Sequence, residues 1–203
     1  MARHITAGEL AARVHAAAFF LQEQLCVKPG NYVALLAHNS SWYVSVSLGT
    51  MSIGATALHL NWRQPVSTHL DLIAGLQPRV IFASEPFLAH APELCAAAGV
   101  QCNCVAAADL EALVVVSEGA GAASLGALLH RNEWSSSTAA AVFFTGGTTG
   151  APKAVPHTHE ALLWLCEALF QVDPAAYAEP RLGGTICFTP YFHVMGFVVN
   201  LAT

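Results

Sequence analysis

Positive charge is scarce in this chain. Eight Lys and Arg stand against thirteen Asp and Glu in 203 residues, for a formal net charge of −5. Nucleic-acid surfaces gather Lys and Arg on one face, so this balance argues against such a role. Charge of either sign is sparse at 10% of residues, while 55% are hydrophobic. That predicts elements buried on several sides, or surface that expects a partner. Long apolar runs are nevertheless missing. None reaches the roughly 18 uninterrupted residues of a membrane span. The opening residues, Met1 to Thr6, form no secretory apolar core, and Glu9 follows soon after. The six cysteines (Cys26, Cys95, Cys102, Cys104, Cys166 and Cys187) make no disulfide framework. They read as buried free thiols in a reducing compartment, with a thiolate cluster of Cys95, Cys102 and Cys104 as the alternative.

Two nucleotide motifs are also absent. A Walker A loop needs Lys directly after its last Gly and then a hydroxyl residue, but Gly150 is followed by Ala151, Pro152 and Lys153. A dinucleotide oxidoreductase needs Gly-x-Gly-x-x-Gly after a strand, and no stretch supplies that glycine pattern.

What is present instead is a different glycine-rich loop. The apolar run from Ala139 to Phe144 has strand composition. Thr145, Gly146, Gly147, Thr148, Thr149 and Gly150 follow, then Ala151, Pro152 and Lys153. Three glycines let the backbone approach a ligand closely. Successive N–H groups in such a turn can form an anion-binding concavity, to which three hydroxyls and one cation add. A helix is expected from His157 to Gln171. Strand, loop, lysine and helix in that order suggest a phosphate cradle. A plain surface turn is the other reading of the loop taken alone.

The rest of the chain alternates between strand and helix patterns. Thr6 and Glu9 read as a capping box for a helix carrying Leu10, Val14, Ala17, Leu21 and Leu25, stopped by Lys28, Pro29 and Gly30. Tyr32 to Ala37 is a buried strand. Ser40 or Ser41 caps a helix that runs to about Ile53 and ends at Gly54. Ala55 to Leu60 is a strand, Val66 to Leu76 a helix and Arg79 to Ala83 a strand. Ser84, Glu85 and Pro86 open a helix that Gly99 closes. Val100 to Val105, Leu113 to Val116 and Thr185 to Phe188 are further strand candidates. Asp173 to Gly184 is a surface excursion, and a last helix starts near His193. An α/β fold follows: a mainly parallel sheet layered with helices, with a soft internal boundary near 131–138.

Phe144 to Val155 resembles the phosphate-binding signature of the adenylate-forming superfamily, the AMP-dependent synthetases and ligases. That signature is Tyr/Phe-Thr-Ser-Gly-Thr-Thr-Gly-x-Pro-Lys-Gly-Val. It is matched at Phe144, Thr145, Gly147, Thr148, Thr149, Gly150, Pro152, Lys153 and Val155. It departs at Gly146, where Ser is common, and at Ala154, where Gly is common. Gly30 to Ser40 is similar to the family's early strand and Asn-Ser pair. Gly54 to Arg63 resembles its Gly-Ala…Leu-Asn-Pro-Arg segment, with Trp62 in place of Pro. Pro190 to Gly196 resembles Pro-x-Phe-His-x-x-Gly.

The resemblance implies that ATP activates a small carboxylic acid as an acyl-adenylate. A thiol, often coenzyme A, then takes the acyl group. Thr145, Gly147, Thr148, Thr149 and Gly150 would donate to the β- and γ-phosphates, with Gly146 keeping its backbone N–H. Lys153 would supply the point charge, and the family implies Mg²⁺. His193 would lie beside the acyl and adenylate site, with Gly196 leaving room for substrate. His157 and His159 are a metal pair only as the lesser alternative to a helix start. Trp42, Trp62, Trp134 and Trp164 read as packing residues.

Later family motifs do not occur: the aromatic-Gly-x-Thr-Glu and Thr-Gly-Asp segments, and the C-terminal lid with its lysine. Residues 1–203 are therefore expected to be the first part of the large N-terminal domain, inactive alone. An intracellular setting, cytoplasmic or peroxisomal, is expected. Phe192, Phe197, Val198, Val199 and Leu201 are expected to be left uncovered, favouring self-association. The rival is a non-catalytic relic of the same fold that binds nucleotide weakly or pairs with another chain.

Overall fold

The computed structural model describes residues 5–99, 103–106, 134–146, 152–172 and 189–202. Short apolar runs between Gly, Pro and Asn become its strands. These are β1 (Tyr32–Leu36), β2 (Thr56–His59), β3 (Val80–Ala83), β4 (Asn103–Ala106), β5 (Ala139–Thr145) and β6 (Lys153–Thr158). They form one six-stranded sheet in the order β4-β3-β1-β2-β5-β6. All neighbours run parallel except β5 and β6. The expected α/β architecture is present.

Alternation along each strand makes two cores. Val33, Leu35, Ala57, Val80, Phe82, Ala141 and Phe143 face one side. Ala34, Leu36, Leu58, Ile81 and Val142 face the other. The first face is covered by α1 (Ala7–Phe19), α2 (Ser41–Ser52), α5 (His159–Val172) and α6 (Val194–Ala202). The second is covered by α3 (Val66–Leu76) and α4 (Ala91–Ala98).

The helix boundaries follow local chemistry. Glu9 N–H donates to Thr6 Oγ1 at 3.1 Å, and Thr6 N–H donates to the Glu9 carboxylate at 2.7 Å, completing the capping box. Beyond Phe19 the helix widens into a π turn over Phe20–Gln24 and ends in left-handed Cys26. Ser40, rather than Ser41, caps α2 by accepting from Tyr43 N–H at 3.1 Å. Most of α2 is buried, serines included. Ser45 and Ser47 donate to carbonyls one turn back, at 2.9 and 2.8 Å, so their burial leaves no donor unmet. Gly49 lets α1 cross closely: a Cβ there would lie 2.9 Å from Ala17 Cβ. The segment after Ser84 winds first as a 3-10 turn, Phe87–His90. Pro92 then sits in the first turn of α4, and left-handed Gly99 ends it.

One expectation is corrected. The helix expected from His157 begins at His159, because 153–158 pair with β5 as an antiparallel edge strand. Pro156 has no N–H for a helix interior, but an edge strand tolerates it. Thr158 is the cap, accepting from Ala161 N–H at 3.1 Å. The expected strands Leu113 to Val116 and Thr185 to Phe188, and the excursion from Asp173, lie outside the described residues.

Candidate functional site

In a parallel sheet, ligands collect beyond the carboxyl ends of the strands. Here that edge holds the residues after β1, β2, β3 and β5. Thr145 closes β5 and pairs in register with Lys153, the first residue of β6. Its hydroxyl reaches toward Lys153 O at 3.5 Å. These two residues are the feet of the glycine-rich loop. Both are exposed, as is Gly146. A Cβ at Gly146 would meet nothing within 4 Å, so packing does not demand glycine there and the loop foot stands open. Gly147, Thr148, Thr149 and Gly150 lie outside the described residues. An open foot flanked by a hydroxyl and an exposed ammonium suits a phosphate group.

The lysine does not lead into a helix. Six strand residues separate the loop from α5. The helix N-terminus therefore does not stand at the loop, and the expected order of strand, loop, lysine and helix is interrupted by β6. What remains for the anion is the loop backbone, the threonine hydroxyls and Lys153.

His193 precedes α6 and is exposed. Its N–H donates to Pro190 O at 3.1 Å, and its carbonyl accepts from Phe197 N–H at 2.9 Å. Its ring lies 4.6 Å from that of Phe192. Phe192 meets Trp62 edge-on at 6.0 Å, and Arg63 lies over Trp62. Trp62 and Arg63 follow β2, the neighbour of β5. His193 thus belongs to the same sheet edge as the loop, through an aromatic chain. Its described contacts run to Pro190, Phe192 and Phe197, not to Thr145, Gly146 or Lys153.

Asn39 holds the turn before His193. Its side-chain amide donates to Thr189 O and its carbonyl accepts from Tyr191 N–H, both at 2.9 Å. This tie spans about 150 residues of sequence. Composition does not reveal it; the Asn-Ser resemblance was the signal available. Gly196 has a packing role. A Cβ there would collide with Pro190 O and lie 2.8 Å from Thr189 Cγ2.

The paired histidines part company. His157, on β6, meets Phe143 edge-on at 5.5 Å, whereas His159 stacks on Trp134 at 4.1 Å. Burial lowers both pKa values below the usual histidine range. Trp42 is buried, and Trp134 covers Gly54. Trp164 is corrected: it is 68% exposed and packs no core. Cys26 is exposed, also against expectation, while Cys95, Cys104 and Cys166 are half-buried free thiols. Burial, with Cys95 nearby, pushes the Cys104 thiol up to about 11. Cys102 and Cys187 lie outside the described residues.

The chain is similar to known proteins. A family model described as AMP-binding enzyme matches residues 1–203. The carboxylic acid reductase of Mycobacterium marinum is 29% identical, over 95% of this chain and 18% of its own length. The 4-coumarate–CoA ligase-like protein 5 of Oryza sativa subsp. japonica is 30% identical, over 87% of this chain and 32% of its own. ATP-bound MatB from Rhodopseudomonas palustris superposes with a TM-score of 0.73 at 20% identity, covering 97% of this chain and 37% of that one. The inhibitor-bound N-terminal domain of FACL13 from Mycobacterium tuberculosis gives 0.68 at 22% identity, over 98% and 48%. The chain spans about a fifth and a third of the length of these two curated relatives. With its sheet, its loop and a family match along its whole length, the chain belongs to the AMP-binding enzymes of the adenylate-forming superfamily.

Proposed function

We propose that the chain is the first part of the N-terminal domain of an ATP-dependent acid–thiol ligase. The observation that carries this is the pairing of Thr145 with Lys153, which plants a glycine-rich loop at the carboxyl edge of the sheet. Relatives named as ligases of CoA with acids, such as the indoleacetate–CoA ligase of Aromatoleum aromaticum at 28% identity, support coenzyme A as the thiol and a small carboxylic acid as substrate. An intracellular location, cytoplasmic or peroxisomal, belongs to the same proposal.

The chemical task is to bring a carboxylate to the α-phosphorus of ATP while pyrophosphate departs. Both reactants are anions. Placing them together and stabilising the departing charge are what a catalyst must do. The backbone of Thr145 to Gly150 and the hydroxyls of Thr145, Thr148 and Thr149 would bind the β- and γ-phosphates. Lys153, whose ammonium meets no carboxylate among the described residues, would hold the pyrophosphate. His193 would stand at the acyl side, positioned by the turn that Asn39 holds. Mg²⁺, when bound, would neutralise phosphate charge. Among the described residues no group of three or more His, Cys, Asp or Glu gathers to hold it.

Lys153→Ala in a complete enzyme carrying this segment tests the reading. Lys153 is exposed, so truncation opens no core cavity. Loss of one pre-organised charge should cost on the order of 3 kcal/mol of barrier, about a hundredfold in adenylation rate. Thr148→Ala should act in the same direction and more weakly, since only a neutral donor goes. Asp71→Asn, on the exposed side of α3, serves as the control. Thiolation from a supplied acyl-adenylate, which has no pyrophosphate to expel, should be spared. Equal loss in both half-reactions, or unimpaired adenylation, would refute the phosphate role.

A further inference from the structure

A cavity of about 510 Å³ opens at the end of the sheet opposite the glycine-rich loop. Cys26 enters it from the end of the first helix. Lys28, Asn31 and Tyr32 enter from the segment leading into β1, and Gln77 and Arg79 from the one leading into β3. Two of the chain's eight Lys and Arg residues therefore share one concavity. Among the described residues no Asp or Glu lines it, in a protein whose net charge is −5. The described ion pair of the chain, His90 with Glu93, lies elsewhere. Like charges gathered in one cleft focus a field that attracts an anion.

Two helices end here, and cations suit the carbonyls at helix C-termini. That accounts for part of Arg79, whose Nε lies 3.5 Å from Leu25 O, at the outer limit of a hydrogen bond. It does not account for Lys28. Only the Lys28 backbone is engaged among the described residues, donating to Asn31 Oδ1 at 3.0 Å. The backbone adds a separate observation. Among the described residues, the non-glycine positions in the left-handed region are Cys26 (φ 52°) and Gln77 (φ 49°). Both line this cavity. Glycine adopts that conformation at lower cost, yet both positions keep a side chain. Backbone held in sparsely populated regions clusters at ligand sites.

We infer that this cavity binds a small organic polyanion. Its phosphate or carboxylate groups sit between Lys28 and Arg79, the amides of Asn31 and Gln77 add hydrogen bonds, and Tyr32 packs against its organic part. The volume falls within the range of small-molecule pockets and exceeds what an inorganic ion fills. The inference is independent of the role assigned to the glycine-rich loop.

Cys26 is a built-in reporter, because it is the exposed thiol among the described cysteines. Its labelling rate is measured on the 203-residue chain with dianionic dithiobis(nitrobenzoate) and with neutral dithiodipyridine, the modified peptide being located by mass. Relative to a small free thiol, the anionic reagent should be favoured about tenfold over the neutral one. Pyrophosphate or citrate should slow labelling by either reagent, while sodium chloride at matched ionic strength should not. Protection by pyrophosphate alone identifies the ligand group as phosphate, and by citrate alone as carboxylate. Lys28→Gln, which alters an exposed ammonium, should abolish both the anionic preference and the protection. Lys153→Ala should leave them intact. Failure of both anions to protect beyond the chloride control overturns the inference. So does full protection in Lys28→Gln, or loss of protection in Lys153→Ala.

Discussion

His59 shows what a single polar residue does inside an apolar sheet face. It closes β2, is fully buried, and stacks on Phe143 at 4.4 Å with Phe197 at 4.8 Å. Its Nδ1 meets the Tyr43 hydroxyl at 2.8 Å, and its Nε2 has no partner among the described residues. Burial, aided by the nearby His157, pushes its pKa down to about 3. The unfolded chain takes up the proton near the usual value of about 6.5. Between those values the unfolded state binds more protons, so stability rises with pH through that window and levels off above it. The slope approaches about 1.4 kcal/mol per pH unit for this one group. His15, His69, His157 and His159 are shifted the same way by burial and steepen it. Denaturant unfolding from pH 7 to pH 5 measures the slope. The double variant Tyr43→Phe with His59→Phe, which removes both polar partners together, should flatten it. An unchanged slope in that variant would show that His59 is not held neutral.

At the scale of elements, β6 and α5 carry the differences from the sequence pattern. Thr158 caps α5, and Thr158→Ala should lower stability by about 1 kcal/mol, read as a shift in the denaturant midpoint. No shift would mean that the cap is replaced by another acceptor. On the same helix, Leu163 and Trp164 are 64% and 68% exposed, and Val172 is exposed too. The apolar surface expected near the chain end lies elsewhere, since Phe192, Phe197 and Val198 are buried. Val199 is half-buried, and the side chain of Leu201 lies outside the described residues. We expect self-association through the outer face of α5, because contiguous exposed apolar side chains favour contact with other molecules. Light scattering on dilute protein should fall in a Leu163→Ser, Trp164→Ser double variant. Equal scattering from that variant and the parent chain would move the contact away from α5.

For the whole molecule, the sheet separates two ends. The loop of Thr145 and Lys153 opens at the carboxyl ends of the parallel strands, and the Lys28–Arg79 cavity at the amino ends. A five-residue strand sets these ends roughly 17 Å apart. Catalysis by the adenylate route also needs groups for adenine and ribose, and their family motifs do not occur in these 203 residues. The 203-residue chain alone should therefore show no acid-dependent exchange between ATP and labelled pyrophosphate across a panel of carboxylic acids. Clear exchange would mean that residues already present supply those groups.

Much of this protein was legible without coordinates, because its signals are local. Continuous apolar runs bounded by turn residues specify β1, β2, β3 and β5. The capping box of Thr6 and Glu9 and the boundaries of α3 follow from neighbours within a few positions. The loop from Thr145 to Lys153 stands out by composition, and its resemblance carried the family. Other features depended on pairing and tertiary contacts that no local pattern announces. Residues 153–158 have no strand alternation of their own and become a strand by pairing with β5. Asn39 acquires its part by reaching Thr189 and Tyr191, and Gly196 is required by a backbone that only folding brings against it. Cys26, Lys28, Gln77 and Arg79 belong to no motif and meet because parallel strands start at one edge. Local chemistry sets the elements, but contacts between distant segments exist only after the chain has closed on itself.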